Sequence, residues 1–444
     1  MATAADSAAH TLTMAIGLAT LLAVAFGRLP GVSLSRAVLA LVGAVALVLT
    51  GAVSFDRALE HVNGEVLVLL FGLMAVNAAL AEAGAFRLVA ALVTRGSLGP
   101  RRLLALLTLS SGVLSALFLN DTVAIMLTPL VVRAARRLRL PPVPYLLALA
   151  LGVNAGSVAT VTGNPQNVLV AVAAHIGYGR FLSSLGPVAL LSLAVVFLAV
   201  LALHGRELSA PRPAPGDGRP DEPLPEVRRT ALLLSGGAAL GLLAAFALGA
   251  NVALAAVTAG AAALLTSGQR SVALLRKVDY GLIVLFAGLF VVVGAMADTG
   301  LPQRWLLAWL PTGGGPLEVV GQTAVVTALL STVVSNVPAV LMLLPATGFV
   351  AVAGDPAVAG SVGAAAGGAA AWAGTDALAL TLAMASTLAG NLTLVASVAN
   401  LIVAEGGRRL GVELGFWTYL RAGLPVTLLT LAIGVAWLAA AGPR

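Results

Sequence analysis

The sequence predicts an all-α polytopic membrane protein built as two inverted-topology repeats. Three observations carry that expectation. Of 444 residues, 59% are hydrophobic and 10% charged, with a mean hydropathy of +1.02; a soluble domain carries about 25% charged residues. Apolar runs of roughly 17 to 25 residues, the length that crosses a bilayer as a helix, recur along the chain. Rare polar residues and prolines repeat between its two halves.

Taken in order, ten apolar runs read as crossings: 11–28, 34–53, 65–83, 143–175, 183–204, 229–248, 251–267, 279–298, 376–405 and 419–441. Two further stretches, 101–139 and 317–349, have polar, turn-forming centres, and each is expected to be a re-entrant helical hairpin. The runs 143–175 and 376–405 contain polar breaks of their own, so two broken helices are expected there.

The basic residues test this topology. With both stretches as hairpins, 21 of the 25 lysines and arginines fall on one side, and only Arg57, Arg180, Arg304 and Arg444 on the other. The positive-inside rule places the rich side in the cytoplasm. A cytoplasmic (inner) membrane location with both termini outside follows as the expectation. Topology thus accounts for the net charge of +7. No basic stripe carries interleaved aromatics, so no nucleic-acid partner is expected. The absence of cysteine excludes disulfides and thiolate chemistry. No cationic segment precedes the first apolar run in "MATAADSAAH", and a cleaved signal peptide is not expected.

The Pro-, Gly- and charge-rich stretch "HGRELSAPRPAPGDGRPDEPLPEVRRT", His204 to Thr230, reads as a flexible cytoplasmic connection. It divides a first repeat, 1–204, from a second, 229–444, with 205–228 as linker. At an offset of 216, "GLMAVNAALAEAG" (Gly72 to Gly84) aligns with "GLFVVVGAMADTG" (Gly288 to Gly300). The same offset aligns "SALFLNDTVAIMLTP" (Ser115 to Pro129) with "STVVSNVPAVLMLLP" (Ser331 to Pro345). At 233, "LALGVNAGSVATVTGNPQNVLV" (Leu149 to Val170) aligns with "LAMASTLAGNLTLVASVANLIV" (Leu382 to Val403). The difference fits a Gly/Ala-rich insertion around 350–375. Each half holds five crossings, an odd number, so the second is expected to be inverted relative to the first.

Four polar breaks carry the candidate chemistry. They are Asn120, Asp121 and Thr122; Thr162 to Asn167 ("TGNPQN"); Ser335 to Pro338 ("SNVP"); and Gly390 to Asn400 ("GNLTLVASVAN"). Hairpin tips are expected at Asn120–Thr122 and Ser335–Pro338, with unwound points near 161–165 and 393–397. Prolines lack an N–H, and glycines favour irregular backbone. Breaking a helix in lipid frees N–H and C=O groups, which is tolerable only inside protein or beside a wet cavity. Half-helix N-termini donate to anions, while freed carbonyls coordinate sodium or face a protonated group. Such a site needs no lysine or arginine, and none lies near the tips in sequence.

Asp121 has two readings. It reads as the N-cap of the hairpin's second arm, opening with Thr122, or as the carboxylate that binds a coupling proton or cation, and one residue can do both. The asparagines could likewise be ordinary interhelical hydrogen bonds. Their symmetric placement favours a transport site. Asn77 reads as a bundle hydrogen bond, and Glu82 and Asp298 as solvated or structural charges near span ends. Glu65, Asp279, Asp376 and Glu405 read as boundary charges, and His61 and His175 as residues of loops or span ends.

With these residues in view, the chain resembles the ion transporter superfamily, and within it the arsenite permease/NhaD-type branch that includes YbiR-like anion permeases. The resemblance rests on "FLNDTVAIMLTPLV", "NAGSVATVTGNPQNVLV", "SNVPAVLMLLP" and "LAGNLTLVASVANLIVAE". It implies re-entrant hairpins from opposite faces and alternating access by an elevator-like movement. It also implies substrate-binding roles for Asn120, Thr122, Thr162, Gly163, Asn164, Asn167, Ser335, Asn336, Asn391, Thr393, Ser397 and Asn400, and ion coupling at Asp121. A repeated S-N-T marks the dicarboxylate:sodium symporters of that superfamily. Here the tips are N-D-T and S-N-V, and the aspartate is more like the arsenite and proton-coupled branches.

The expected function is secondary active transport of a small anion or oxyanion, with protons or sodium as the coupling ion. Sodium would sit near Asn120, Asp121 and Asn336. No resident metal or other cofactor is expected. The partners are the small ion and the lipid bilayer, and a homodimer is left open. A sodium/proton antiporter, a citrate-like dicarboxylate transporter and a passive anion channel remain as alternatives. An intramembrane enzyme would need a nucleophile–base pair or metal cluster at depth, and no His/Glu or Ser/Lys pairing stands there.

Overall fold

A computed structural model of the chain describes residues 4–26, 35–85, 99–209, 228–302, 315–344 and 376–441. All regular elements among them are helices. Most of the linker and all of the Gly/Ala-rich insertion at 350–375 lie outside the described residues, as does the end of the second hairpin stretch beyond 344.

The first half opens with α1 (Ala4–Phe26), α2 (Arg36–Leu49), the short α3 (Phe55–His61) and α4 (Gly64–Ala83). Hairpin 1 follows as α5 (Pro100–Leu117) and α6 (Asn120–Arg137). The first broken helix is α7 (Pro142–Ser157), a 3-10 turn (Val161–Gly163) and α8 (Pro165–Ala173), and α9 (Tyr178–His204) ends this half. The second half runs α10 (Arg229–Ala247), α11 (Val252–Thr266), the short α12 (Ser271–Leu275) and α13 (Tyr280–Asp298). Hairpin 2 is α14 (Pro316–Val334) with α15 (Asn336–Leu343). The second broken helix is α16 (Asp376–Ala389) with α17 (Val398–Arg409), followed by α18 (Phe416–Ala441).

Among the described residues, six helices, α4, α9, α10, α13, α14 and α18, are long and apolar enough to cross a membrane. The expected crossings at 34–53 and 251–267 are shorter, at 14 and 15 residues. Gly51, at φ 73°, follows the end of α2, and Ser267 closes α11.

Local chemistry places the helix starts. Ser35 and Asn251 cap α2 and α11, accepting from Val38 and Leu254 N–H, and their positions differ by the offset of 216. Asn63 and Asp279 cap α4 and α13 in the same way, accepting from Val66 and Leu282, again at that offset. A side-chain acceptor at this position satisfies a helix N–H that has no partner of its own.

Packing repeats with the caps. α4 lies against α11, and α2 against α13. A Cβ at Gly72 would stand 2.3 Å from the Ala256 carbonyl, and one at Gly288 would stand 2.7 Å from that of Ala40. Both glycines, and both alanines, are related by the offset of 216. Glycine here lets two helix backbones touch, the usual device where water cannot drive association. α10 adds to the α4–α11 pair and α1 to the α2–α13 pair. Hairpins 1 and 2, both broken helices, α9 and α18 pack with one another, and the most completely buried run, α7 through α8, lies within them.

Candidate functional site

The two breaks are built alike. α7 stops at Ser157, and the chain turns through Val158–Thr160 before Asn164 caps α8 by accepting from Asn167 N–H at 2.9 Å. Asn167 Nδ2 donates to the Ser157 and Thr160 carbonyls at 2.9 and 2.8 Å. Asn400 Nδ2 donates to the Gly390 and Thr393 carbonyls at 2.7 and 3.1 Å. Each pair of residues lies at the offset of 233. One asparagine in each half therefore satisfies the carbonyls that the break frees, which unpaired burial would make costly. Gly163 is required by space: a Cβ there would stand 2.3 Å from the Ser157 carbonyl oxygen.

The breaks are also joined to each other. Asn154 Nδ2 donates to Asn391 Oδ1 at 3.0 Å and to Asn400 Oδ1 at 2.9 Å. Asn391 Nδ2 returns to the Leu151 carbonyl at 3.2 Å. Ser397, the residue before α17, donates to Asn154 Oδ1 at 3.1 Å. The counterpart of Asn154 at the same offset is Thr387, whose hydroxyl donates to Asn167 Oδ1 at 3.3 Å and accepts from Asn164 Nδ2 at 3.0 Å. Gln166 Nε2 also donates to it, at 3.3 Å. These side chains are buried.

Hairpin 1 is tied into this network. Asn120 Nδ2 donates to Asn154 Oδ1 at 3.2 Å, and Ser115 Oγ to the Val153 carbonyl at 2.6 Å. Thr160 and Thr162 hydroxyls both donate to the Ala116 carbonyl, near the end of α5. The break in the hairpin lies at Phe118–Leu119, earlier than the expected tip at Asn120–Thr122. Leu119 precedes α6, while Asn120 and Asp121 already belong to it. The N-cap reading of Asp121 is thereby corrected. The local acceptor is Asn120 Oδ1, which takes the Asp121 N–H at 2.9 Å. Asp121 is half-buried in the first turn of α6, with Thr122 half-buried beside it.

In hairpin 2 the break is at Ser335, with φ 77° and ψ 160°, and Asn336 opens α15. Pro338 lies in the first turn, where its missing N–H costs nothing. Asn336 Nδ2 lies 3.4 Å from where a Cβ on Gly390 would stand, which brings this tip to the second break. Thr393 is half-buried and contributes its carbonyl to the network.

Asn120, Thr162, Asn164, Asn167, Asn391, Ser397, Asn400 and the Thr393 carbonyl thus converge. Among the described residues, the side chains of Asp121, Thr122 and Ser335 make no hydrogen bond into this network. Reading the sequence also missed several of its members. Asn154 and Thr387, its centre, stand inside the quoted segments and share the offset of 233; that offset was the signal available. Gln166 sits inside "TGNPQN". A charge was missed as well: the Asp121 carboxylate lies within electrostatic reach of the Arg36 guanidinium and the Asp279 carboxylate. Sequence neighbours of the tips include no basic residue; the fold brings one near.

Among the described residues, Asn77 does not find the expected bundle hydrogen bond: its Nδ2 is buried without a partner. Glu82 pairs with Lys277 and Arg228. Asp298 pairs with Arg57 at 2.9 Å and His61 at 2.8 Å. The Asp298 and then the Glu60 carboxylate, hydrogen-bonded to Arg57, hold its guanidinium above its ordinary value. Asp376 pairs with Arg180, and Glu405 with Arg408 and Arg409. Among the described residues, no three His, Asp or Glu side chains group in a way that could hold a metal.

The family model of the citrate transporter (CitMHS) matches residues 21–375. The chain is 32% identical to a silicon efflux transporter of Oryza sativa subsp. japonica, over 95% of this chain and 96% of that one. It is 28% identical to an uncharacterized transporter of Mycobacterium tuberculosis, over 96% of this chain and 98% of the relative. Among solved structures, the Alcanivorax borkumensis YdaH transporter superposes with a TM-score of 0.57 over 97% of this chain and 98% of that one. At 19% identity, that likeness concerns the fold alone.

Proposed function

The chain belongs to the citrate transporter family, and we propose from that premise that it is a secondary active transporter of a small oxyacid or its oxyanion, coupled to protons or sodium through Asp121. The carrying observation is the buried amide network in which Asn154 joins both breaks and the tip of hairpin 1. It gathers half-helix N-termini and asparagine side chains, which suit a small, hydroxyl-rich cargo of low charge. A citrate trianion would call for several cationic partners. Among the described residues, Arg36 is drawn toward a tip, within electrostatic reach of Asp121. The silicon efflux transporter among the relatives, and the arsenite-permease-like N-D-T tip, support the same class of weak oxyacid.

We read residues 1–204 and 229–444 as inverted repeats joined by 205–228, moving by elevator-like alternating access. Caps, glycine contacts and amide bonds that recur at the offsets of 216 and 233 support this. In the cytoplasmic membrane, the arginine bias supports termini on the outside. The residues proposed to line the cargo site are Asn120, Thr122, Thr162, Gly163, Asn164, Asn167, Ser335, Asn336, Asn391, Thr393, Ser397 and Asn400.

The test is uptake of arsenite, silicic acid, citrate and sodium into proteoliposomes under imposed pH or sodium gradients. Saturable, gradient-driven accumulation of arsenite or silicic acid is expected. Sodium-driven pH change without oxyacid movement would replace this reading with a sodium/proton antiporter. Citrate accumulation would replace it with a carboxylate transporter, and flux that equilibrates without accumulating would replace it with a channel.

A further inference from the structure

The two hairpins occupy equivalent places in the repeat but are not held equally. In hairpin 1, Ser115 Oγ is bonded to the Val153 carbonyl, and both ends of the Asn120 amide are used. Their counterparts at the offset of 216 are Ser331 and Asn336. Among the described residues, Ser331 Oγ and Asn336 Oδ1 are both buried with no hydrogen-bond partner. Orphan polar atoms of this kind are rare and costly in folded proteins.

The backbone tells the same story. Leu119 turns the first tip at an ordinary φ of −55°, whereas Ser335 turns the second at φ 77°, ψ 160°. That region is essentially reserved for glycine. The acceptor that hairpin 2 lacks is also in place. Gly390 N–H bonds to the Thr387 carbonyl at 3.1 Å rather than to that of Ser386. Ser386 is the counterpart of Val153 at the offset of 233. One clamp is absent by sequence: Val395 stands where Thr162 donates in the first half.

We propose that hairpin 2 is the moving gate of the site and hairpin 1 its fixed wall. On closing, Ser331 Oγ donates to the Ser386 carbonyl, Asn336 Nδ2 takes the place of Gln166 Nε2 as the second donor to Thr387 Oγ1, and Asn336 Oδ1 accepts from Val337 N–H. These contacts reproduce in the second half the bonds that Ser115 and Asn120 already make in the first. Closure also gives Ser335 the chance to leave its strained conformation. The orphaned pair is what keeps the gate bistable.

The proposal rests on this face being the cargo site, yet its test needs no cargo, so the two readings fail separately. Amide hydrogen exchange is measured on the full wild-type chain in lipid nanodiscs. Residues 331–341 are expected to exchange at least about tenfold faster than 115–125, their counterparts. Equal or slower exchange in hairpin 2 overturns the proposal. The chain has no cysteine, so a double variant, Asn336→Cys with Thr387→Cys, tests whether these two positions meet. A disulfide requires Cα atoms within about 7 Å and is expected to form on mild oxidation. Its absence from protein that elutes as folded monomer or dimer overturns the closing step.

Discussion

Asn154 donates its side-chain N–H to Asn400 Oδ1 across 2.9 Å, so that a residue inside one broken helix holds the amide that ties off the other. The same relation recurs with Thr387 and Asn167 at 3.3 Å. Each asparagine at a break therefore works in two directions. It satisfies the carbonyls of its own half and accepts from the opposite half.

Replacing Asn154 by alanine should destabilise the protein by about 2–4 kcal/mol, since it leaves buried groups of Asn391, Asn400, Ser397 and Asn120 short of partners. Thermal unfolding in detergent, compared with Asn77→Ala, checks this. Asn77 already has an unpartnered Nδ2, so its loss should cost less.

Asp121→Asn keeps the size of the side chain and removes its charge. The variant is expected to fold normally and to lose at least about tenfold of its gradient-dependent uptake, as a coupling carboxylate in a membrane would. The measurement is uptake in proteoliposomes as a function of pH and sodium. Unchanged pH- and sodium-dependence would remove Asp121 from coupling.

Gly163→Ala should be destabilising by about 1–3 kcal/mol, because its Cβ would meet the Ser157 carbonyl oxygen at 2.3 Å. The control is Gly177→Ala, where nothing stands within 4 Å of the new Cβ. Melting temperature should drop in the first variant and hold in the second.

Gly72→Leu and Gly288→Leu should each separate a helix pair, α4 from α11 and α2 from α13. Their effects on yield of folded protein are expected to match within about twofold, because both insert a side chain where backbones touch. A large effect at one position only would count against equivalent packing in the two halves.

Much of the architecture was legible in the chain because its signals are local. Pro165, Gly163 and the asparagines around them announce a break through backbone chemistry that acts within a few residues, and the break is found at 158–164. The hairpin tips were legible only approximately. Asp121 is polar enough to mark a turn, but Asn120 folds its own Oδ1 onto the Asp121 N–H and starts the helix earlier. Asn77 shows the opposite failure: polarity predicted a bond that the packing around α4 does not supply.

By itself, the sequence determined that this chain is helical, apolar and interrupted at four polar points, because hydropathy, proline and glycine act on neighbouring residues. Only the tertiary structure decided which polar groups meet. Asn154 and Thr387 became the centre of the network because two unwound backbones, each with carbonyls freed from the helix and taken up by an asparagine, lie against each other inside protein. Arg36, remote in sequence at the start of α2, is brought within electrostatic reach of Asp121 by the fold alone. Burial removes water as a partner, so the remaining donors and acceptors must find one another in space, and no local pattern records which they choose.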